Sequence, residues 1–398
     1  MLGGFPTLPI NIQQTFEPGP MSTSGVDNIV ASLKHGSRVF KVKLDDVQSW
    51  PQFERLVTEM QRPFPELDHL DIRVTRSTRE SGSPPVVPDS FLGGSAPRLA
   101  HLRLQGVPFP GLPKLLLSAK DLVDIRLWYP PGSGYFSPEA ITNGLSAVKQ
   151  LRLLDIAIGS SPSRQESQRP HPVTRIALPA LIQLKLECTC EYLEDLVDRI
   201  DAPSLATMEI FSHPVFSNFS KLPQFISRIE AFMISDQAHI FSHPIQTRFT
   251  FSQRTRTVDW AELLINFWAK TETPHMFKLP LYCSSVPPHS AFERLVIQEC
   301  RFPGSVPVWD MENELQELSS RFAAVKNLFL DINAVEIVGS ALKRFPEESM
   351  TQVFPALQNV FVEALQRWSP NQQAIWQFTS VRQIAGQLVL LRNWERKG

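Results

Sequence analysis

A short phrase recurs along this chain of 398 residues, and it constrains the fold more than any other feature. "APRLAHLRL" (96–104) and "AKDLVDIRL" (119–127) both read apolar-x-x-apolar-x-apolar, and their first leucines, Leu99 and Leu122, lie 23 residues apart. The pattern also stands at Val39, Val42, Leu44; at Leu67, Leu70, Ile72; at Leu151, Leu154, Ile156; and at Leu181, Leu184, Leu186. Further on come Leu205, Met208, Ile210; Ile229, Phe232, Ile234; Val325, Leu328, Leu330; and Leu357, Val360, Val362, with a shorter form at Phe292, Leu295, Ile297. From Val39 to Ile229 the first anchors step by 28, 32, 23, 29, 30, 24 and 24 residues, and from Phe292 by 33 and 32. A period of roughly 20–30 residues is the mark of a chain built by stacking one small unit.

Each phrase predicts a strand. Its last two apolar positions alternate, as in a strand with one buried face, and the first turns the chain in from a loop. Helical stretches lie between. "SPEAITNGLSAV" opens with Ser137 as N-cap, Pro138 in the first turn and Glu139 behind it. "EYLEDLVDRI" puts Leu193, Leu196, Val197 and Ile200 on one face, and "GLPKLLLSAK" clusters Leu115 to Leu117. One strand and one helix or turn per unit predicts an α/β fold: a leucine-rich-repeat-like solenoid, or horseshoe. Its parallel sheet would line the concave face, with helices and loops on the convex face. The asparagine that usually follows such a phrase stands at Asn333, whereas Thr189 and Val107 occupy comparable places elsewhere.

The expected organisation is an N-terminal tail or cap over 1–25 and an irregular solenoid over 26–398. Within it, "RSTRESGSPPVVPDS" (76–90) and "GSSPSRQESQRPHPVTR" (159–175) are polar, breaker-rich and read as mobile loops. Between 235 and 291 the phrase is lost. There "TRFTF" (247–251) alternates like a strand, and "DWAELLINFWA" (259–269) reads as an amphipathic helix.

The chain carries no phosphate-binding glycine loop, no H-E-x-x-H and no G-x-S-x-G. No cofactor, metal site or catalytic residue is expected from it. Cys188 and Cys190 continue the alternation of Leu184 and Leu186, so they read as buried thiols. Cys283 and Cys300 complete a set of four, which is no disulfide framework. "FSHP" occurs at 211–214 and 241–244, 30 residues apart, which fits one repeat step. A net charge of −1 argues against bulk attraction to nucleic acid or an anionic membrane. With no secretory leader and no bilayer-length apolar run, the expected location is cytoplasmic or nuclear.

Function is sought on the outward side of the strands. Between the second and third anchors of successive phrases stand Asp71, Arg103, Arg126, Asp155, Lys185 and Glu209. Two positions on come Arg73, Gln105, Trp128, Ala157, Glu187 and Phe211, with Tyr129 beside Trp128. Arg, Trp and Tyr dominate interface energetics. The candidate partner-binding set is therefore Arg73, Arg103, Arg126, Trp128, Tyr129, Asp155, Lys185, Glu187, Glu209 and Phe211. Arg103 and Arg126, as neighbouring like charges, would gain from an acidic partner.

Several longer stretches carry a resemblance: "FLGGSAPRLAHLRLQGVPFPGLPKLLLSAKDLVDIRLWYPPGSGYFSPEAI", "LPALIQLKL", "CEYLEDLVDRIDAPSL", "FPALQNVFVEAL" and "NWER". From about residue 5 onward the chain resembles fungal F-box or F-box-like proteins with leucine-rich-repeat tails. The resemblance implies a protein-binding substrate receptor whose F-box docks on the Skp adaptor of a cullin ubiquitin ligase while the repeats hold the target. The chain departs from that family before Val39, where "LPI" (8–10) leads into "NIQQTF" and no F-box helices are read. Adaptor and cullin are thus expected partners only through a box upstream. The alternatives are a free-standing repeat scaffold or competitor, and an enzyme with an unrecognised site.

Overall fold

A computed structural model describes residues 8–14, 23–47, 49–75, 85–130, 135–158, 175–212, 219–243, 246–253, 263–269, 286–287, 291–300, 311–363 and 369–395. Most of the two expected mobile loops, 76–84 and 159–174, lies outside them. The chain forms two compact units, Met1–Pro203 and Ser204–Gly398. Both are mixed α/β and mostly parallel in their sheets, and no barrel closes among the described residues.

The first unit holds β1 (Ile10–Gln13), β2 (Val39–Val47), β3 (His69–Val74), β4 (His101–Gln105), β5 (Asp124–Trp128), β6 (Leu153–Ala157), β7 (Ile176–Ala177), β8 (Gln183–Cys188) and β9 (Ile200–Asp201). Its main sheet runs β1-β2-β3-β4-β5-β6-β8, every pair parallel, while β7 and β9 pair separately. Six phrases enter it, one each in β2 to β6 and β8, and their last two apolar residues point into the core. Within the segment expected as tail or cap, Ile10–Gln13 extends this sheet beside β2.

One main-chain device repeats at the entrances of β4, β5, β6 and β8. The Asp68 carbonyl accepts from the N–H groups of both Ala100 and His101 (2.9 and 3.0 Å). The Ala100 carbonyl likewise takes Val123 and Asp124 (2.8 and 3.1 Å), that of Val123 takes Arg152 and Leu153 (2.8 and 3.1 Å), and that of Arg152 takes Ile182 and Gln183 (both 2.9 Å). Helices complete the repeats. Pro138–Leu145 starts at Ser137, whose side chain accepts from the Ala140 N–H, and Thr189 caps Cys190–Asp198 through the Tyr192 N–H. Gly144 lets Pro138–Leu145 lie against Leu112–Leu116, because a Cβ there would stand 2.8 Å from the Pro113 carbonyl oxygen.

The second unit holds β10 (Thr207–Ser212), β11 (Gln237–His243), β12 (Gln246–Ser252), β13 (Leu263–Ala269), β14 (Arg294–Glu299), β15 (Asn327–Leu330), β16 (Asn359–Glu363) and β17 (Leu390–Trp394). Their order is β10-β13-β12-β11-β14-β15-β16-β17. Only β12 runs against its neighbours, as the return arm of a hairpin with β11. The alternating "TRFTF" lies in β12. Of the expected helix over 259–269, residues 259–262 lie outside the described residues and the rest is corrected by β13: Leu263, Ile265 and Phe267 are fully buried in strand alternation. Its apolar residues fit either period, and pairing with β10 on one side and β12 on the other decides for the strand.

The phrase Ile229, Phe232, Ile234 is a second correction. Glu230–Met233 is a helical turn, Ile234 is exposed, and the strand begins later, at Gln237. Here the Asp236 carbonyl accepts from Glu293 and Arg294 (2.8 and 3.3 Å), which fixes the strand entrance beyond the phrase. Phenylalanines fill the core of this stretch. Phe232 meets Phe251 and Phe292 edge-on at 5.0 and 5.5 Å, and Phe249 meets Phe267 edge-on at 5.9 Å. Such pairs add about 0.5–1.5 kcal/mol beyond area burial.

Asn333 does bond the preceding repeat: its Nδ2 donates to the Glu299 carbonyl at 2.8 Å. Buried Asp331 works with it, accepting from the Glu299 N–H at 3.0 Å while capping Ile332–Leu342 through the Ala334 N–H at 2.7 Å. Asp331→Ala removes a cap and strands the Glu299 N–H. The expected loss is roughly 2–4 kcal/mol, measured by urea denaturation with an unchanged slope.

Candidate partner-binding face

Parallel register aligns the outward residues of the first unit into rows. Lys41, His69, His101, Asp124, Leu153 and Gln183 form one; Lys43, Asp71, Arg103, Arg126, Asp155 and Lys185 the next; Arg73, Gln105, Trp128, Ala157 and Glu187 a third. Eight of the ten sequence-derived candidates fall on this unit. Seven stand in the second and third rows, with Tyr129 directly after β5.

The two arginines find acids on their own sheet. Arg126 forks onto Asp124, two residues back on the same face, with Nε and Nη2 at 3.0 and 2.9 Å from its carboxylate oxygens. That hydrogen bonding raises the Arg126 pKa, opposed by burial and assisted by the Asp124 and Asp155 charges. The Arg103 Nη1 lies 3.6 Å from an Asp71 oxygen, and its guanidinium sits 5.2 Å over the Trp128 ring. Burial pushes the Asp71 carboxyl above its ordinary range, with Arg103 pulling the other way. A cation over tryptophan at such a site contributes about 0.5–2 kcal/mol and holds both side chains in place. The acidic partner foreseen for the Arg103–Arg126 pair is therefore supplied in part by Asp71 and Asp124.

Tyr129 adopts φ +50°, and its phenol is pushed up to about 12 by burial, then by its hydrogen bond to Glu187 and the nearby carboxylate charge. Asp155 is buried between Arg126 and Lys185 in register. Arg73 lies on β3 beside Gln105, with its Nε buried and unpaired. A cleft of about 300 Å³ opens over β2 to β5, lined by Lys41, Lys43, His69, Asp71, His101, Arg103, Asp124 and Arg126 over Leu70 and Leu102.

Sequence reasoning missed five of those lining residues: Lys41, Lys43, His69, His101 and Asp124. The signal was available: Lys43 stands between the second and third anchors of its own phrase, and a period of two places Lys41, His69, His101 and Asp124 one step back on the same face. The His69 and His101 rings lie 5.4 Å apart, tilted by 41°. Burial, then Lys41 and His101, lowers the His69 pKa from its ordinary 6.5, with Asp68 opposing.

Glu209 and Phe211 belong to β10 in the second unit. Phe211 stacks on Trp268 of β13 at 5.6 Å and 2°, a contact hidden from a helical reading of 259–269. Further along that unit's sheet, Phe329 stacks on Phe361 at 4.3 Å, with Arg294 over Phe329 at 4.1 Å and Trp394 against its edge. Phe329 and Phe361 lie between phrase anchors, where Arg103 and Arg126 lie in the first unit. Cys188 and Cys190 are buried, Cys300 is half-buried, and Cys283 lies outside the described residues. Among the described residues, no group of three or more His, Cys, Asp or Glu is placed to hold a metal.

No model of a known protein family matches the chain, and no curated protein matches it. Among the described residues no helix is long and apolar enough to cross a membrane.

The crowding around His69 has a measurable consequence. In an NMR titration, His69 is expected to protonate below pH 6.5. Lys41→Gln removes one repelling charge and raises that midpoint, yet leaves it under 6.5, because burial persists.

Proposed function

We propose that this chain is a protein-binding module, a leucine-rich-repeat-like solenoid that presents its parallel sheet as the docking face. On this reading it is the target-binding region of an F-box-type substrate receptor for a cullin ubiquitin ligase, working in the cytoplasm or nucleus, with recognition and not catalysis as its task. The observation that carries the reading is the alignment of Arg103, Arg126 and Trp128 on adjacent strands of one sheet face, with Tyr129 directly after β5. Arginine, tryptophan and tyrosine so grouped, half-exposed and already fixed by neighbours, lose little freedom on binding. The repeat phrases in β2 to β6 and β8, together with the resemblance to F-box proteins, support the finer part of the proposal.

Two measurements test it. Arg126→Glu and Trp128→Ala are each expected to weaken capture of the target at least about tenfold with the unfolding midpoint retained. Wild-type capture by both variants would displace the binding face. For the ligase link, retention of purified Skp adaptor by the immobilised chain would show an adaptor-docking surface that works without the box. A folded chain that does not retain it is a target-binding module that cannot recruit the ligase unaided.

A further inference from the structure

The cleft over β2 to β5 gathers Lys41, Lys43, Arg103 and Arg126 around His69 and His101. Its own acids are engaged: Asp124 by Arg126, Asp71 by Arg103, and neighbouring Asp45 by Lys43 at 3.1 Å. Four cations against these three acids leave a positive balance with both imidazoles neutral, and Lys41 is in no ion pair among the described residues. A proton taken up by His69 adds to that balance.

The charges facing His69 come from each element around it. Lys41 and Lys43 rise from β2, with Asp45 behind them. His101 and Arg103 stand on β4, and Asp124 and Arg126 lie beyond them on β5. Asp68, Asp71 and Arg73 belong to its own stretch of chain, and β1 contributes only neutral Asn11 and Gln13 in these rows. Most of what repels a proton on His69 is thus positive charge, which a bound anion neutralises.

The ligand's form follows from the layout. Three inter-strand steps of ~4.8 Å separate Lys41 from Asp124, a span of ~14 Å that suits several anionic groups along an extended chain better than one compact anion. Interspersed Asp71 and Asp124 disfavour densely charged phosphates. A chain of net charge −1 also lacks the field that draws nucleic acid.

We propose that this cleft receives a carboxylate-rich segment of a partner protein, and that His69, which lies against His101, takes up a proton as the segment binds, so that affinity rises as the pH falls. This rests on the protein-binding reading and supplies the partner's chemistry.

Fluorescence anisotropy of fluorescein-labelled hexaglutamate with the full chain tests it. Between about pH 7.5 and about pH 6, where glutamate stays ionised, the peptide is expected to bind at least about fivefold tighter. The pH response should vanish in His69→Gln/His101→Gln, Lys41→Glu should weaken binding at both pH values, and labelled hexaglutamine should not bind. In the wild-type chain, saturation with hexaglutamate should also raise the NMR midpoint of His69, a reading that needs no variant. Absence of hexaglutamate binding, equal binding of hexaglutamine, or an unchanged pH response in the double variant overturns the proposal. If hexaglutamate fails to bind while Arg126→Glu still abolishes target capture, the acidic-ligand assignment alone falls. Hexaglutamate binding to a chain whose target capture ignores Arg126→Glu and Trp128→Ala would instead overturn the face assigned above.

Discussion

One carbonyl accepting two N–H groups at the entrance of the next strand, a contact made at seven entrances, is the interaction on which the sheets depend. Asp68, Ala100, Val123 and Arg152 supply it in the first unit, and Asp236, Glu293 and Lys326 in the second. Being a main-chain contact, it tolerates any side chain, so residues as different as Ala100 and Arg152 serve. It also fixes register before the strand begins. Inserts of different length between phrases therefore leave the rows of outward side chains aligned, because each strand is pinned at its start and not by what precedes it. Each such bond contributes about 0.5–1.5 kcal/mol.

Aligned rows turn a list of residues into a surface. Arg103 lies over Trp128 because β4 and β5 are in step, and the same step sets His69 beside His101. The outcome is more self-contained than isolated arginines would be. Asp71 and Asp124 hold the guanidinium groups in fixed geometry, lowering their appetite for a partner's charge while sharpening where that charge must sit. Lys41 and the histidines then set the local balance of the cleft. Electrostatics of this kind governs selection and rate of encounter more than bulk affinity.

Legibility from sequence followed the repeat. In β4 or β5 the phrase, the alternation and the entrance bond agree, so both the buried and the outward residues could be named in advance. The Ser137 and Thr189 caps and the clamp at Asn333 also rest on local side chain-to-backbone chemistry that a sequence displays. Legibility failed where long-range pairing decides. Residues 263–269 fit two periods, and only the strands on either side select one. Ile229, Phe232 and Ile234 match the phrase but precede the entrance bond at Asp236. Arg382 gave no sign either: it is fully buried and donates to the Val353 and Pro355 carbonyls at 2.5 and 3.2 Å, an arrangement set by packing alone. On the face itself, the missing row through Lys41, His69 and His101 needed only the period of two carried one step back.

Amide hydrogen exchange, resolved to single residues, tests the register account most directly. The account predicts that the paired N–H groups of Ala100 and His101, Val123 and Asp124, Arg152 and Leu153, and Ile182 and Gln183 exchange as slowly as the interiors of their strands. Solvent-like exchange at Ala100, Val123, Arg152 and Ile182 alongside protected strands would contradict it, and the alignment of the face would then need another cause.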